Sequence, residues 1–393
     1  MNAMEYVEIE SASELVGRSS LDACVLQGLD LTAAGIDWSR VEVTPRTFLL
    51  GCRLSHGDEM ALRLRGAVLF PRFSELPYDP YRGRLYTSAD LMQGYDGRDF
   101  ERTAADQATY RNFLATRESH SIVDELAQRI HDHSLNDALD DLLRDCGKAF
   151  PRGIVGIMGG HQSPRGSQAF REVAQLSHRL SRLGFLVLTG GGPGAMEAGN
   201  LGALLAPHDE PALDEAIGML RSQSSAGPPV PAGYLRSAQD VIQRFAPAVA
   251  AEWGFRAPGA ASFAGASLSI PTWTYGHEPS NLFASHIAKL FQNSVREEGL
   301  VTIANAGLVF AKGRAGTCQE AFTDAVQNYY AQDPDAMQPM AFFPRAYWTE
   351  TVPVVPCPHK LARAGGRPFA QRVAAFDRVD EIVDFLQAPP PIV

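Results

Sequence analysis

The chain has 393 residues, of which 45% are hydrophobic and 20% charged, and its formal net charge at pH 7 is −10. This length suits two domains with substantial cores, and the composition is that of an ordinary soluble globular protein. The acidic balance argues against a broad nucleic-acid interface, which needs a basic face, although a few N–H groups and arginines can still hold a small anion.

The cysteines and the hydropathy pattern bear on the compartment. Five cysteines are scattered without a Cys-x-x-Cys pair, so we expect neither a disulfide framework nor a structural zinc site. Residues 1–8 lack the basic start and apolar core of a signal peptide, and no run approaches the roughly 18 apolar residues of a membrane span. We therefore expect a cytoplasmic protein with no membrane partner.

Residues 1–150 are predicted to form an N-terminal accessory domain of α+β character. Short extended runs at 46–52 and 66–71 predict strands, and apolar spacing from about 99 to 143 predicts helices. The region contains no chemical motif that can be named, so an accessory or regulatory role is expected for it.

At Pro151 the pattern changes to that of a Rossmann-like domain, predicted over residues 151–393. A buried strand at 154–158 ends in a glycine turn, a helix follows, and Gly184 ends that helix. A second strand then leads into another glycine turn. This alternation predicts the fold class α/β, with a doubly wound parallel sheet.

Four later segments carry further predictions. The stretch 206–237 is rich in Pro, Gly and Ser and is predicted as a long loop, either a lid or an insertion. Residues 262–271 and 339–343 predict strands. The segment from about 279 to 298 predicts one long helix.

The first glycine-rich loop, here called the first cradle, spans residues 189–198 and reads Thr-Gly-Gly-Gly-Pro-Gly-Ala-Met-Glu-Ala. It follows a strand and opens a helix, so bare N–H groups and a helix N-terminus can face an anion. The predicted phosphate contacts are Gly190, Gly191, Gly192, Gly194, Ala195 and Met196. The alternative is a tight turn without a ligand. No Walker lysine follows, and no acidic residue suits a dinucleotide ribose.

The second cradle, residues 312–320, lies about 120 residues later and reads Lys-Gly-Arg-Ala-Gly-Thr-Cys-Gln-Glu. Gly313, Gly316 and Thr317 can offer N–H groups and a hydroxyl to a phosphate. Glu320 stands three residues beyond Thr317, on the same helix face. From spacing alone the pair could equally be a capping box, with Thr317 as N-cap and Glu320 closing it.

Together the two cradles resemble the Lonely Guy (LOG) family, whose members cleave the N-glycosidic bond of nucleoside 5′-monophosphates. Segments 275–284, 291–300 and 319–330 are similar to its larger bacterial nucleotide nucleosidase branch. The resemblance covers about 151–360. It implies an AMP-like nucleoside monophosphate as substrate, free base and ribose 5-phosphate as products, no metal or cofactor, and a homodimer or higher homo-oligomer.

The resemblance also implies roles for single residues. The family signature Pro-Gly-Gly-x-Gly-Thr-x-x-Glu places the catalytic carboxylate at Glu320. Lys312 replaces the proline and Arg314 the second glycine, so Arg314 could contact phosphate or obstruct the cradle. The family arginine, about 23 residues before the Glu, falls on Glu297, and a one-residue gap assigns it to Arg296.

The chemistry of the proposed reaction fits these residue types. Breaking a ribosyl C–N bond builds oxocarbenium character, which a carboxylate such as Glu320 can stabilise while it orients or deprotonates water. Arg296 could hold the phosphate or position the carboxylate. His277, Glu278 and Asn281 could bind base or ribose, with Ser280 capping the next helix as the plain alternative.

Two other functions stay open from sequence. A sensor that binds a nucleotide without hydrolysing it would use the same cradles, and Lys312 and Arg314 are its best support. A DNA-processing protein could use a related Rossmann core, but the acidic charge and the lack of a basic and aromatic stripe speak against it. No nucleic-acid partner is expected.

Overall fold

The computed structural model describes residues 6–73, 75–119, 121–224, 229–247 and 265–389. The chain divides into two compact units. The smaller unit comprises Met1–Leu85 and Arg111–Asp140, and the larger comprises Tyr86–Tyr110 and Asp141–Val393. Among the helices in the described ranges, none is both long and apolar enough to cross a bilayer.

The smaller unit contains a four-stranded parallel sheet in the order β1-β2-β3-β4. Its strands are β1 (Val7–Ile9), β2 (Cys24–Gln27), β3 (Thr47–Leu50) and β4 (Val68–Phe70). Helix α1 (His56–Leu64) connects β3 to β4 and begins after Ser55, whose hydroxyl oxygen accepts the Asp58 N–H. The strands predicted at 46–52 and 66–71 are confirmed.

In the described part of the chain, four helices lie between β4 and the first strand of the larger unit. They are α2 (Ser88–Met92), α3 (Phe100–Thr103), α4 (Ala105–Ser119) and α5 (Ile122–Ala149). The helical character predicted from about 99 to 143 is confirmed.

The larger unit is organised around a seven-stranded sheet in which every pairing is parallel. The strands are β5 (Ile154–Met158), β6 (Leu186–Thr189), β7 (Ser267–Ser269), β8 (His286–Ile287), β9 (Gly307–Phe310), β10 (Met340–Phe342) and β11 (Val373–Ala375). Their spatial order is β11-β10-β9-β5-β6-β7-β8, so the winding direction reverses at β5. All of β5 is buried, as expected for a sheet covered on both faces. The predicted doubly wound α/β fold is confirmed.

Helices cover this sheet and supply most of its core. They are α6 (Gln168–Arg182), α7 (Ala195–Leu204), α8 (Glu210–Leu220), α9 (Ala232–Phe245), α10 (Asn293–Ile303), α11 (Ala315–Tyr330), α12 (Pro356–Ala364) and α13 (Val379–Gln387). Short 3₁₀ segments lie at Ala12–Leu15, Trp38–Arg40, Trp273–Tyr275, Pro334–Ala336 and Pro368–Arg372, and Tyr347–Thr351 is a single π turn. Helix α6 buries Phe170, Val173 and Leu180, and Gly184 follows its end with φ +90°, as predicted.

Two segment predictions are wrong. The stretch 206–237 is not one long loop, because α8 and the first turns of α9 lie in it; residues 225–228 are outside the described ranges. Pro211 stands in the first turn of α8, where a missing N–H costs nothing, so proline there starts a helix rather than breaking one.

The long helix predicted at 279–298 is also wrong, because that segment holds strand β8 and only the start of α10. Its apolar run is buried throughout, and a short run of this kind does not distinguish a buried strand from a helix. The strands predicted at 262–271 and 339–343 are confirmed by β7 and β10, with residues 262–264 outside the described ranges.

Candidate functional site

Three loops meet at the carboxyl ends of β5, β6 and β9. The first cradle follows β6, the second follows β9, and the turn at residues 159–161 follows β5 between them. Gly160 joins the three loops: its N–H donates to the Lys312 carbonyl (3.0 Å) and its carbonyl accepts the Ala195 N–H (3.1 Å). The point where strand order reverses is where doubly wound sheets bind their ligands.

The first cradle is packed tightly against other parts of the protein. Gly194 has φ +72°, and a Cβ on it would lie 2.6 Å from the Gly160 carbonyl oxygen. A Cβ on Gly190 would collide with the Arg296 guanidinium, and one on Gly192 would lie 2.7 Å from the Met196 methyl carbon. The backbone of residues 160–161 therefore requires glycine at position 194, whereas a side chain at 190 or 192 would have to displace the end of Arg296 or Met196.

A buried polar network fixes the shape of this loop from behind. The Thr189 hydroxyl donates to Asn200 Oδ1 (2.7 Å) and accepts the Gly191 N–H (3.1 Å). Asn281 Nδ2 donates to Asn200 Oδ1 (3.1 Å) and to the Gly192 carbonyl (3.3 Å). The Asn281 side chain thus has protein partners that hold the cradle in place, and fully satisfied networks of this kind rigidify a site.

Arg296 lies on α10 and connects the two cradles. Its Nε donates to the Ile270 carbonyl (2.8 Å) and its Nη2 to the Gly190 carbonyl (3.4 Å). Its Nη1 stands 3.9 Å from Glu320 Oε1. Because the side chain is only 10% exposed, its fork of donors is fixed in direction. The structure thus brings together the two residues that the sequence proposed as catalytic.

Glu320 lies on the second turn of α11 with a side chain 11% exposed. Burial raises the pKa of this carboxyl to about 7, while Arg296 lowers it and Glu297 raises it by smaller amounts. A carboxyl with a pKa near neutral can exchange a proton with water or substrate at physiological pH. Glu297 itself accepts hydrogen bonds from Asn293 (2.7 Å) and from Gln319.

The second cradle forms the N-terminus of α11, and the space beside its Gly316 is empty. Helix α11 begins at Ala315 with Arg314 as its N-cap, and no side chain caps it. The capping-box alternative is therefore wrong, because Thr317 is the third helical residue. A Cβ on Gly313 would collide with the Thr317 hydroxyl, whereas one on Gly316 would meet nothing within 4 Å. Unsatisfied N–H groups of the first turn can therefore reach a ligand beside Gly316.

The two departures from the family signature lie at the edge of this cradle. Lys312 and Arg314 are both exposed. The Lys312 amino group is 5.3 Å from the centre of the Tyr347 ring, and the Tyr347 hydroxyl donates to the Gly313 carbonyl. An exposed guanidinium at the N-cap can reach an anion that rests on the helix terminus.

A second ionisable pair, His161 and Glu278, lies beside Gly192 of the first cradle. His161 Nδ1 stands 3.7 Å from Glu278 Oε1, with side chains 49% and 23% exposed. Glu278 Oε2 lies 3.6 Å from the position of a Cβ built on Gly192. Glu278, predicted to bind base or ribose, therefore faces the cradle.

A buried ion pair supports the segment that carries Glu278. Lys289 Nζ donates to Asp106 Oδ1 (2.6 Å) and to Ser280 Oγ (3.0 Å). Asp106, on α4, also accepts the Trp273 indole N–H (3.1 Å). Ser280 therefore binds Lys289 and does not cap a helix, since the predicted helix is absent from this segment. Both side chains are 1% exposed, so removal of either would leave the other charge buried without its partner.

Comparisons with known proteins leave the family open. No family model matches the sequence, and no curated protein matches it. The chain is similar in structure to the molybdenum cofactor binding protein from the phototrophic bacterium Rippkaea orientalis, with 12% identity and a TM-score of 0.33, over 60% of this chain and 95% of that one. A similarity at this level carries no argument about function.

Proposed function

We propose that this protein hydrolyses the N-glycosidic bond of nucleoside 5′-monophosphates, as a LOG-type phosphoribohydrolase that works as a homodimer or higher homo-oligomer. The observation that carries the proposal is the position of Arg296, which donates to the Gly190 carbonyl and stands 3.9 Å from Glu320. Arg296 thus connects the first cradle to a carboxyl with a pKa of about 7, which lies on the helix that the second cradle opens.

The proposed mechanism assigns a role to the second cradle, to Glu320 and to Arg296. The phosphate rests on the open N-terminus of α11 beside Gly316, with Arg314 within reach as a cation. Glu320, in its ionised form, takes a proton from the attacking water and stabilises the positive charge that develops on the ribose. Arg296 keeps that carboxylate in place and holds the first cradle against it.

The test is chromatographic detection of free base after incubation with a panel of nucleoside 5′-monophosphates. Wild type should release base from at least one of them, and Glu320→Gln should lose about 100-fold or more of that rate, since general base catalysis contributes on this scale. Glu298→Gln, a neutralised exposed carboxylate on α10, is the control. If wild type releases no base from any nucleotide, hydrolysis is refuted.

A nucleotide sensor is a second candidate, favoured by one observation. Lys312 and Arg314 replace residues of the hydrolytic signature at the mouth of the second cradle, and both are exposed. A sensor would bind a nucleoside monophosphate in calorimetry without releasing base, and Glu320→Gln would leave that affinity nearly unchanged. The same two proteins and the same panel therefore distinguish the two functions.

A further inference from the structure

Two ionisable pairs lie beside the first cradle. Arg296 contacts the Gly190 carbonyl and stands 3.9 Å from Glu320. Glu278 faces Gly192 and stands 3.7 Å from His161. In the proposed function the first pair activates the attacking water, and the second pair has no assigned role.

The position of His161 is set by the cradle itself. A Cβ on Gly194 would lie 2.7 Å from both the carbonyl carbon and the carbonyl oxygen of His161, so this backbone and the cradle are in direct contact. The imidazole directs Nδ1 toward Glu278, which leaves Nε2 as the nitrogen that can meet a ligand. Its side chain is 49% exposed, so ligand and solvent can both reach it.

Cleavage of a nucleotide has a second chemical requirement besides the attack of water. When the C1′–N bond breaks, its electron pair stays on the base, and a proton delivered to the base makes it a better leaving group. Histidine is the side chain best suited to supply such a proton near neutral pH.

We propose that His161 is the catalytic acid that protonates the leaving base, and that Glu278 is its positioning residue. This assignment rests on the proposed function. The imidazolium Nε2–H donates its proton to a ring nitrogen of the base as the C1′–N bond breaks. Water forms the new C1′–O bond and gives its proton to Glu320. The products are free base and ribose 5-phosphate, and solvent returns the proton from Glu320 to His161.

The test compares two substrates that differ in their need for this proton. The guanine of GMP is a better leaving group when it is protonated. The base of 7-methylguanosine 5′-monophosphate already carries a positive charge, so it leaves as neutral 7-methylguanine without a proton from the enzyme. His161→Gln should slow release from GMP by about 100-fold or more and should slow release from the methylated nucleotide by less than about 5-fold. Glu278→Gln should show the same selectivity with a smaller loss. His133→Gln, an exposed histidine on α5, is the control and should leave both rates unchanged.

The outcomes separate this assignment from the function on which it rests. Equal losses on both substrates would make His161 a binding or structural residue, and no loss on either would remove it from the reaction; each overturns the assignment while hydrolysis stands. No base release by wild type from either substrate, or from the wider nucleotide panel, would refute the hydrolase together with its acid. Melting curves of the variants verify that each remains folded.

Discussion

Glu320→Gln should increase the stability of the protein while it removes activity, and the gain should depend on pH. The pKa of this carboxyl is about 7 in the folded protein, against an ordinary value of 4.5. The folded state therefore binds more protons than the unfolded chain between these values, so wild-type stability falls as pH rises through this range. Glutamine resembles the protonated form and escapes that loss.

The size of the effect follows from the two pKa values. One pKa unit corresponds to about 1.4 kcal/mol, so the variant should be more stable by about 1 kcal/mol at pH 5, about 2 kcal/mol at pH 6 and about 3 kcal/mol at pH 8. The gain should then level off, because above the folded pKa the carboxyl is ionised in both states.

Urea unfolding of the two proteins in matched buffers at these three pH values measures the difference. Glu298→Gln, an exposed site on α10, should change the unfolding free energy by less than about 0.5 kcal/mol at each pH. A difference for Glu320→Gln that is constant with pH, or a variant that is less stable at pH 8, would refute the argument that burial dominates at this carboxyl.

Four further substitutions test other parts of the site. Asp106→Asn should cost about 3–5 kcal/mol because it leaves the Lys289 ammonium buried without its anion; Asp106→Asn combined with Lys289→Met should recover most of this in urea unfolding, and a failure to recover would contradict the pairing. Arg296→Lys keeps the charge but cannot donate to both Ile270 and Gly190, so base release should fall by about 10-fold or more; an unchanged rate would argue that only the charge matters. Gly194→Ala should lower the unfolding free energy by more than about 1 kcal/mol, since φ is +72° and the Cβ would lie 2.6 Å from the Gly160 carbonyl. Gly316→Ala, at an open helical position, should be neutral or stabilising in unfolding yet weaken nucleotide binding in calorimetry, and unchanged affinity would place the phosphate elsewhere.

The alternation of strands and helices in the larger unit could be predicted because it is a local property of the sequence. Strands β5 and β6 are each followed by a glycine turn and then by a helix. The helices α8 and α9 were missed because proline is favourable at the start of a helix but breaks the helix interior. Pro211 and Pro231 both lie at helix starts. Strand β8 was missed because it has only two residues, and the short apolar runs around it do not distinguish a buried strand from a helix.

The two proposed catalytic residues were predicted through the resemblance to the LOG family, because spacing alone left a capping box open at Glu320. Arg296 was assigned from the family arginine by allowing a one-residue gap, and it lies 3.9 Å from Glu320 in the structure. Asp106 gave no signal, because its partner Lys289 is 183 residues away and an isolated aspartate at the start of a helix looks like an ordinary surface residue. It belongs to the segment Tyr86–Tyr110, which clusters with the larger unit although it precedes the Rossmann-like pattern in sequence.

The glycines of the two cradles call for different explanations, although sequence treats them alike. At Gly190, Gly192 and Gly194 the space of a side chain is filled by Arg296, by Met196 and by the backbone of residues 160–161. These glycines let three loops pack against one another at the point where the sheet reverses. At Gly316 that space is empty, and the N–H groups of a helix N-terminus lie beside it. On the proposed function we therefore expect the ligand phosphate on the second cradle, while the glycines of the first cradle pack against Arg296, Met196 and the backbone of residues 160–161.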